Sequence, residues 1–123
     1  MITGTEIKAR VQADVGTSLS EVMDTAAFAI ARINDAVEAI RTDFPACTID
    51  DNGKLIPLVS IVATTGILSV FDSPRIRKAL THHVASAVYR TDAENQNHKN
   101  MSDWSMAAYY QAIGLNPMAR RGR

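Results

Sequence analysis

Three histidines are the residues in this chain whose type best suits chemistry. His82 and His83 are adjacent in a helix-patterned segment, and His98 lies in a polar run. Adjacent residues on a helix point roughly 100° apart, so His82 and His83 cannot chelate one metal ion together. The sequence has neither an HExxH motif nor paired cysteines, which are the spacings typical of zinc sites. We therefore predict no metal site, with the histidines as surface or partly buried helix residues.

The other candidates for chemistry are isolated as well. Cys47 has no nucleophile signature around it, which favours a small buried hydrophobe. Asp50-Asp51-Asn52-Gly53 lacks the alternating ligands and the closing Glu of a calcium loop, so it indicates a turn. The six glycines are scattered and form no phosphate-binding loop. The sequence thus predicts a protein that is not an enzyme and holds no cofactor.

Three aromatic residues near the C-terminus allow two interpretations. Trp104, Tyr109 and Tyr110 could stack on nucleic-acid bases. Their helical spacing beside alanines favours packing in the core or at an interface instead.

The totals describe one ordinary globular domain. The 123 residues suit a single domain, and the apolar fraction of 46% excludes wholesale disorder. Thirteen basic residues balance thirteen acidic ones, which argues against general binding to nucleic acid. A lone cysteine is typical of a reducing compartment, and the first ten residues show no signal-peptide pattern.

Four helices are predicted from periodicity and capping residues. The first covers about residues 5–15 and stops before Gly16. The second spans about 18–44, with Ser18 or Ser20 as N-cap, a capping-box spacing from Ser18 to Glu21, and Pro45 at its end. The third begins at Ser73-Pro74 and continues to about residue 90. The fourth runs from near Ser102 to Ile113, with Gly114 following it.

The first helix has Ile7, Val11 and Val15 at i, i+4 and i+8, and each later helix has an apolar stripe that is predicted to face the core. Small residues on these faces would let the helices approach closely. The predicted inward residues are Val22 or Met23, Ala26, Ile30, Ile33, Val37, Ile40 and Phe44; then Ile76, Leu80, Val84, Ala87 and Val88; and finally Trp104, Ala107, Ala108, Ala112 and Leu115. The alanines assigned to buried faces are Ala26, Ala27, Ala29, Ala31, Ala107 and Ala108, and the outward face of the second helix carries Arg32, Asp35, Glu38 and Arg41.

An uncharged stretch separates the second and third helices. Residues 55–71 carry no charge, but about 17 residues interrupted by Pro57 and Gly66 do not suit a membrane span. Their β-branched residues and the central turn signal predict a β-hairpin with strands at about 56–63 and 67–71. The predicted fold is therefore mostly α: a small bundle of about four helices with one short β-hairpin between helices two and three.

Two polar segments lie at or near the C-terminal end. Residues 91–100, TDAENQNHKN, are predicted to connect the last two helices, either as a solvated loop or as a surface that meets another molecule. Residues 116–123, NPMARRGR, have no helical pattern and are predicted to form an extended basic tail beyond a domain of residues 1–115. No long apolar seam remains once the stripes are assigned, so we expect the chain alone to be monomeric or weakly associated.

Two stretches resemble the head-to-tail connector, or adaptor, proteins of tailed bacteriophages. One is a helix of the form x-I-N-x-A-(V/L)-x-x-I followed by Pro, matched here by Ile33, Asn34, Ala36, Val37, Ile40 and Pro45. The other begins A-L-x-x-(Y/H)-(V/A), continues through R-x-x-D-A-E, which is shortened here to R-x-D-A-E, and a polar break, and closes in a last helix. Its matches are Ala79, Leu80, His83, Val84, Arg90, Asp92, Ala93, Glu94, Ala107, Tyr110 and Ile113. Together the stretches cover about half the chain, which departs from many relatives in its short middle region.

The resemblance implies a structural virion protein rather than a catalyst. Such adaptors form a ring under the portal, typically of twelve copies, that links the capsid to the tail and lets DNA pass through its lumen. The implied partners are the portal protein, other copies of the chain, a downstream tail or nozzle protein, and DNA contacted without sequence specificity. The implied location is the neck of the virion, assembled in the host cytoplasm, with no membrane contact. Residues expected at the portal are Asn116, Pro117, Met118, Arg120, Arg121 and Arg123; those expected between subunits are Arg90, Asp92, Glu94, His98 and Lys99.

A small helical DNA-binding protein of phage packaging or regulation is the alternative. It would use Arg75, Arg77 and Lys78 together with the arginine tail. Zero net charge and the lack of a clear helix-turn-helix argue against it.

Overall fold

A computed structural model describes residues 1–17, 19–92 and 94–114. Over these ranges the chain is mostly helical, with four α-helices and no β-strand. The helices are α1 (Gly4–Val15), α2 (Ala26–Asp43), α3 (Pro74–Arg90) and α4 (Gln96–Ala112), with short 3₁₀ helices at Ser20–Asp24 and Pro45–Thr48. Helix α3 contacts all three other helices and packs most extensively on α4. The predicted mostly α-helical chain with four helices is confirmed, and none of the described helices combines the length and apolar character that a membrane span needs.

Local side-chain caps set the first turns of α1 and α3. The Thr3 hydroxyl accepts a hydrogen bond from the Glu6 amide at 3.3 Å, and Ser73 Oγ accepts one from the Ile76 amide at 3.2 Å. Each cap satisfies one of the amides that a helix start leaves unpaired. Gly16 follows α1 with φ near 80°, a conformation that glycine adopts without strain. The bounds predicted for these two helices are confirmed, as is the burial of Ile76, Leu80, Val84 and Val88; Ala87 is half-buried.

The second predicted helix is two elements rather than one. A 3₁₀ helix over Ser20–Asp24 places Met23 in the core, and α2 begins only after Thr25. The predicted N-caps at Ser18 and Ser20 are therefore wrong for α2; Ser18 itself lies outside the described residues. The apolar stripe continues across the break because the 3₁₀ segment packs against both neighbouring helices. The buried residues of α2 are Ala29, Ile33, Ala36, Val37 and Ile40, whereas Ala26 is exposed and Ile30 and Phe44 are half-buried.

Helix α4 starts six residues earlier than predicted. Asn95 caps it, since its side-chain oxygen accepts hydrogen bonds from the amides of Asn97 and His98 at 3.0 and 3.3 Å. The prediction that residues 91–100 form a connection is thus wrong for its second half. The polar residues there occupy exposed positions of the first turns of α4, so the helix needs no apolar residue at those positions.

The inward face of α4 was also predicted wrongly. Its buried residues are Ser102, Ser105 and Tyr109, followed by Ile113 just past the helix. Trp104 is 55% exposed, Ala107 is exposed, and Ala108 and Ala112 are half-buried; Leu115 lies outside the described residues. The serines face α3, where Ser102 exchanges hydrogen bonds with Ser86 at 2.9 to 3.1 Å. Paired hydroxyls can be buried at little cost, and that pairing overrides the apolar pattern. Of the six alanines assigned to buried faces, only Ala29 is buried.

No β-hairpin forms between α2 and α3 in the described structure. The only β-type pairings there are isolated bridges between Thr3 and Ile67 and between Ile49 and Leu55. Neither bridge joins the two predicted strands to each other. The segment is instead laid along α2 and tied to it by polar side chains, which supply the partners that a second strand would have offered. The turn predicted at Asp50–Gly53 is confirmed, with Asp50 Oδ1 accepting from the amides of Asn52 and Lys54 at 2.9 Å.

Candidate protein-interaction surfaces

The residues expected between subunits cluster around the α3–α4 connection. Asp92 Oδ2 lies 2.9 Å from His98 Nδ1, which joins the connection to the first turn of α4. Arg90 Nε donates to Ser102 Oγ at 3.1 Å, which joins the end of α3 to the middle of α4. Arg90 and Asp92 therefore each fix α4 rather than contacting each other, and Glu94 and Lys99 are exposed beside them.

A shallow cleft opens next to this connection. It has a volume of about 310 Å³ and is lined by Arg90, Lys99, Ser102 and Asp103. Two of the expected inter-subunit residues thus share one concave surface, and its lining includes both signs of charge. A mixed-charge cleft of this size suits a polar contact with another protein better than it suits an apolar ligand.

The residues expected at the portal all lie in the chain beyond Gly114. Asn116, Pro117, Met118, Arg120, Arg121 and Arg123 are outside the described residues. Their assignment stays a prediction from the sequence.

The most apolar exposed surface belongs to the segment between α2 and α3, a surface that sequence reasoning missed. We call residues 55–67 the apolar segment. Leu58, Val59 and Val62 are 48%, 66% and 92% exposed, and Leu55 and Ile67 are 65% and 56% exposed. Several large aliphatic side chains exposed together are unusual on a monomer and indicate an interaction site. The lack of charge over residues 55–71 was the available sequence signal.

Side chains of α2 hold the apolar segment in place. Asn34 Nδ2 donates to the Ile61 carbonyl at 3.1 Å, and Asn34 Oδ1 accepts from the Ile61 amide at 3.0 Å. Arg41 Nη1 donates to the carbonyls of Ile56 and Ser69, both at 2.8 Å. Arg41 was predicted on a solvated face; it faces the segment instead because these carbonyls need donors.

A third set of hydrogen bonds comes from Ser69, which follows the apolar segment in the chain. Ser69 Oγ accepts from the Val59 amide at 2.9 Å and donates to the Val59 carbonyl at 3.0 Å. Val59 and Ile61 thus turn both backbone polar groups inward. Residues two apart that face the same way indicate an extended, pleated backbone. Residues 58–61 are therefore strand-like in geometry, although no strand pairs with them in the described structure, and the chain bends and turns over residues 62–66.

The end of the apolar segment packs closely on the start of α1. The Gly4 amide donates to the Gly66 carbonyl at 3.0 Å, and the Leu68 amide donates to the Ile2 carbonyl at 2.9 Å. A Cβ on Gly4 would lie 2.5 Å from the Thr64 carbonyl oxygen, and one on Gly66 would lie 2.6 Å from an Ile61 side-chain carbon. Both positions require glycine, because a side chain would collide with the Thr64 backbone at Gly4 and with the Ile61 side chain at Gly66.

The two adjacent histidines pack between α3 and α4. The His82 ring meets Trp104 edge-on at 5.6 Å, and the His83 ring meets Tyr109 edge-on at 5.0 Å. Burial lowers the pKa of both histidines from the usual value. The Tyr109 hydroxyl donates to Asp43 Oδ2 at 2.8 Å, and burial together with this contact raises the pKa of Tyr109. These contacts tie α4 to α2 and α3 as packing, in agreement with the predicted reading of Tyr109.

Arg77 is the centre of an ionic cluster at the start of α3. Its guanidinium makes two hydrogen bonds to Asp72, at 2.8 and 2.9 Å, and a third to Glu6 on α1. The N-terminal ammonium lies 2.9 Å from Asp72 as well. Hydrogen bonds from Arg77 and from this ammonium hold the pKa of Asp72 well below its usual range. The cluster joins α1 to α3. It also pairs Arg77, Asp72 and Glu6 with one another, so these charges are engaged within the chain.

The remaining reactive side chains are inert in this fold. Cys47 is fully buried, as predicted, and burial raises the pKa of its thiol to about 11. A thiol with so high a pKa is a poor nucleophile at neutral pH. No group of His, Cys, Asp and Glu among the described residues is arranged to hold a metal ion.

No protein-family model, curated protein or solved structure matches this chain. Its function is therefore inferred from its own residues and surfaces.

Proposed function

We propose that this chain is a structural virion protein: a head-to-tail adaptor that binds the portal of a tailed bacteriophage and forms a ring linking capsid to tail. The observation that carries the proposal is the cluster at the α3–α4 connection, where Arg90 and Lys99 line one mixed-charge cleft and Asp92 bonds His98. The apolar segment, held by Asn34, Arg41 and Ser69, adds a second, uncharged surface that suits a protein acting by binding another protein.

The positions of the resembling residues add support. Ile33, Val37 and Ile40 face the core. Any helical bundle needs a buried stripe of this kind, so these three matches are not specific to adaptors. Asn34 is different, because it is a polar match that holds the apolar segment at both backbone groups of Ile61. Asp92 likewise is a polar match that fixes the α3–α4 connection through His98. The polar matches thus position the two candidate surfaces.

The ring requires two kinds of contact that this chain can provide. Lateral contacts between copies must be heterologous and must close; we assign them to Arg90, Asp92, Glu94, His98 and Lys99 around the mixed-charge cleft. The portal contact is assigned to residues 116–123, where Met118 offers an apolar anchor and three arginines offer bidentate contacts to carboxylates. The lumen would pass DNA without reading its sequence.

The DNA-binding alternative has less support. Arg77 is engaged by Asp72 and Glu6, and Arg75 Nε donates to the Ala112 carbonyl at 2.6 Å. Two of the basic residues that it would need are therefore engaged in intrachain contacts. The proposed adaptor does not need either of them to be free.

Electron microscopy of the protein mixed with isolated portal assemblies tests the proposal. We expect a ring of density on one face of the portal, with a mass consistent with about twelve copies per portal. DNA-binding assays at low salt form the second arm. Tight DNA binding that falls steeply with salt, combined with no density on portals, would establish the alternative instead.

A further inference from the structure

The apolar segment presents an open strand edge. The amides and carbonyls of Val59 and Ile61 bond inward. Because the N–H and C=O of each planar trans peptide unit point to opposite sides, the Leu58 carbonyl, both backbone groups of Ser60 and the Val62 amide point outward. The chain then bends at Val62. None of these three residues has a backbone hydrogen bond within the described part of the chain. The outer edge therefore offers amides and carbonyls at two-residue spacing, as an unpaired edge strand does.

Nothing along this edge discourages pairing. Soluble proteins protect exposed edges with charged side chains, bulges or prolines within the strand. Here Pro57 stands at the start of the edge, and no charged residue occurs between Lys54 and Asp72. Pro57 precedes the outward residues and removes none of their donors. An edge left this open on a folded protein indicates that a strand pairs with it.

The sequence around Ser60 is self-complementary. The five residues 58–62 read Leu-Val-Ser-Ile-Val, so both members of each pair equidistant from Ser60 are aliphatic. In an antiparallel pair centred on Ser60, Leu58 would face Val62 of the second copy, and Val59 would face Ile61 of the second copy. Cross-strand pairs of this kind stabilise sheets. The pattern therefore fits a second copy of the same segment.

We propose that two copies of this chain pair through residues 58–62, antiparallel about a two-fold axis at Ser60. The outward backbone groups of Leu58, Ser60 and Val62 bond those of the second copy, and the exposed aliphatic side chains are covered in the same contact. The contact is isologous, so it closes at two copies and leaves the lateral surfaces of a ring free. This inference concerns the free protein and does not rest on the proposed portal binding.

The exposed area sets the expected strength. Leu58 and Val62 lie on one face of the strand and Val59 on the other; together with Leu55 and Ile67 they expose an apolar area on the order of 400 Å² per copy. A standard interface buries about 800 Å² per partner. We therefore expect a dissociation constant on the order of 10 µM, measured by sedimentation equilibrium over about 1 to 500 µM protein.

A matched pair of substitutions at Ser60 tests the backbone pairing. Ser60→Pro removes the central outward amide, and it breaks no hydrogen bond within the chain because that amide is unpaired there. Ser60→Ala removes the same hydroxyl and keeps the amide. We expect Ser60→Pro to weaken dimerisation at least about tenfold and Ser60→Ala to leave it within about threefold. Equal dimerisation by both variants would overturn the proposal.

A charge exchange tests the register without relying on proline. Leu58→Lys and Val62→Glu each change an exposed side chain, and each alone should weaken the dimer. Mixed in equal amounts, they place Lys opposite Glu, and we expect a mixed dimer at least about tenfold tighter than either alone. The control mixture is Leu58→Lys with Leu58→Glu, whose charges would not face each other. Association of the control mixture alone would overturn the antiparallel register.

Amide hydrogen exchange supplies a residue-level readout. Exchange at the Ser60 and Val62 amides should slow as protein concentration rises, whereas exchange at Val59 and Ile61, already bonded to Ser69 and Asn34, should not change. A chain that stays monomeric at about 500 µM would refute self-pairing. If Ser60→Pro then lost portal binding, the occupant of the edge would be a strand of another protein, which also overturns the proposal.

Discussion

At the scale of single residues, polar side chains provide the backbone hydrogen bonds that a neighbouring strand would otherwise provide. Asn34 and Ser69 each bond both the amide and the carbonyl of one residue of the apolar segment. Arg41 bonds two further carbonyls from the same helix. Backbone groups that are buried away from water need hydrogen-bond partners. Here the partners are specific polar side chains, and their hydrogen bonds hold the segment in place.

Replacing Asn34 by Ala should destabilise the protein by about 1 to 3 kcal/mol, because the amide and carbonyl of the buried Ile61 both lose their partner. Urea denaturation followed by circular dichroism measures this change. Asn97→Ala is the matched control, since Asn97 is exposed in the first turn of α4, and its effect should stay within about 0.5 kcal/mol. An equally small effect at Asn34 would show that water replaces the side chain.

At the scale of elements, burial decides which apolar residues stabilise the contacts between helices. Helix α2 contributes Ile33, Val37 and Ile40 to the core along one stripe. Helix α3 contributes Leu80 and Val84 to the same core. Helix α4 contributes serines and Tyr109 instead of an aliphatic stripe. The contacts of α2 and α3 therefore depend on apolar packing, whereas that of α4 depends in large part on the hydrogen bonds of Ser102 and Tyr109.

Ile40→Ala should cost about 2 to 5 kcal/mol, the range for deleting a fully buried aliphatic side chain. Its control is Leu55→Ala, which shortens a side chain that is 65% exposed and should change stability by less than about 0.5 kcal/mol. Both are read from urea midpoints at a fixed low protein concentration. Similar losses for the two variants would contradict the assigned inward face.

The α3–α4 contact should weaken in mild acid. Burial lowers the pKa of His82 and of His83, with Asp14 and Lys78 near the first, and Asp35, Asp43 and Arg90 near the second. The unfolded chain then binds protons near pH 6.5 more readily than the folded chain. Stability from the neutral rings is thus fully present above pH 6.5 and is lost as pH falls below it.

His83→Phe tests this pH dependence because it keeps an aromatic ring against Tyr109 and removes the titration. We expect the wild type to lose stability as the pH falls from 7 to 5.5 and the variant to lose less over the same range, because one of the two titrating rings is gone. Urea midpoints across this range give the slopes. Ile40→Ala, as control, should lower stability at each pH and keep the wild-type slope; an unchanged slope in His83→Phe would refute the assignment.

At the scale of the whole molecule, the chain carries its interaction surfaces apart from its core. The apolar segment lies between α2 and α3, and the mixed-charge cleft lies at the α3–α4 connection. Most core residues contribute to neither surface; the exceptions named above are Ser102, which lines the cleft, and Ile61, which lies within the apolar segment. Binding can therefore be altered at either surface without unfolding the protein.

Deleting residues 116–123 should leave the fold intact and reduce portal binding. The described helices end before this segment, so no described contact is lost; the apolar anchor Met118 and three arginines are removed. Circular dichroism and co-sedimentation with portal assemblies measure the two effects. A variant with Arg120, Arg121 and Arg123 changed to Lys keeps the charge and separates bidentate contact from simple attraction. Unchanged portal binding by the truncated chain would remove the tail from the interface.

The sequence by itself determined the helices with local signals. Gly16, Ser73 and Pro74 act within one turn of their own position, so the end of α1 and the start of α3 could be read directly. The stripe from Ile33 to Ile40 repeats at helical spacing, and its burial follows from that period. The same reasoning identified Asp50–Gly53 as a turn and Cys47 as buried.

The tertiary structure alone decided the features that depend on distant partners. Ser102 is buried because Ser86, sixteen residues earlier, pairs with it, and Trp104 is exposed as a result of the face that this pairing selects. The apolar segment is extended but unpaired because Asn34, 27 residues from Ile61, satisfies its inner edge. Periodicity reports local apolarity, whereas polar groups can be buried wherever a distant partner satisfies them, and such pairings leave no periodic trace in the sequence.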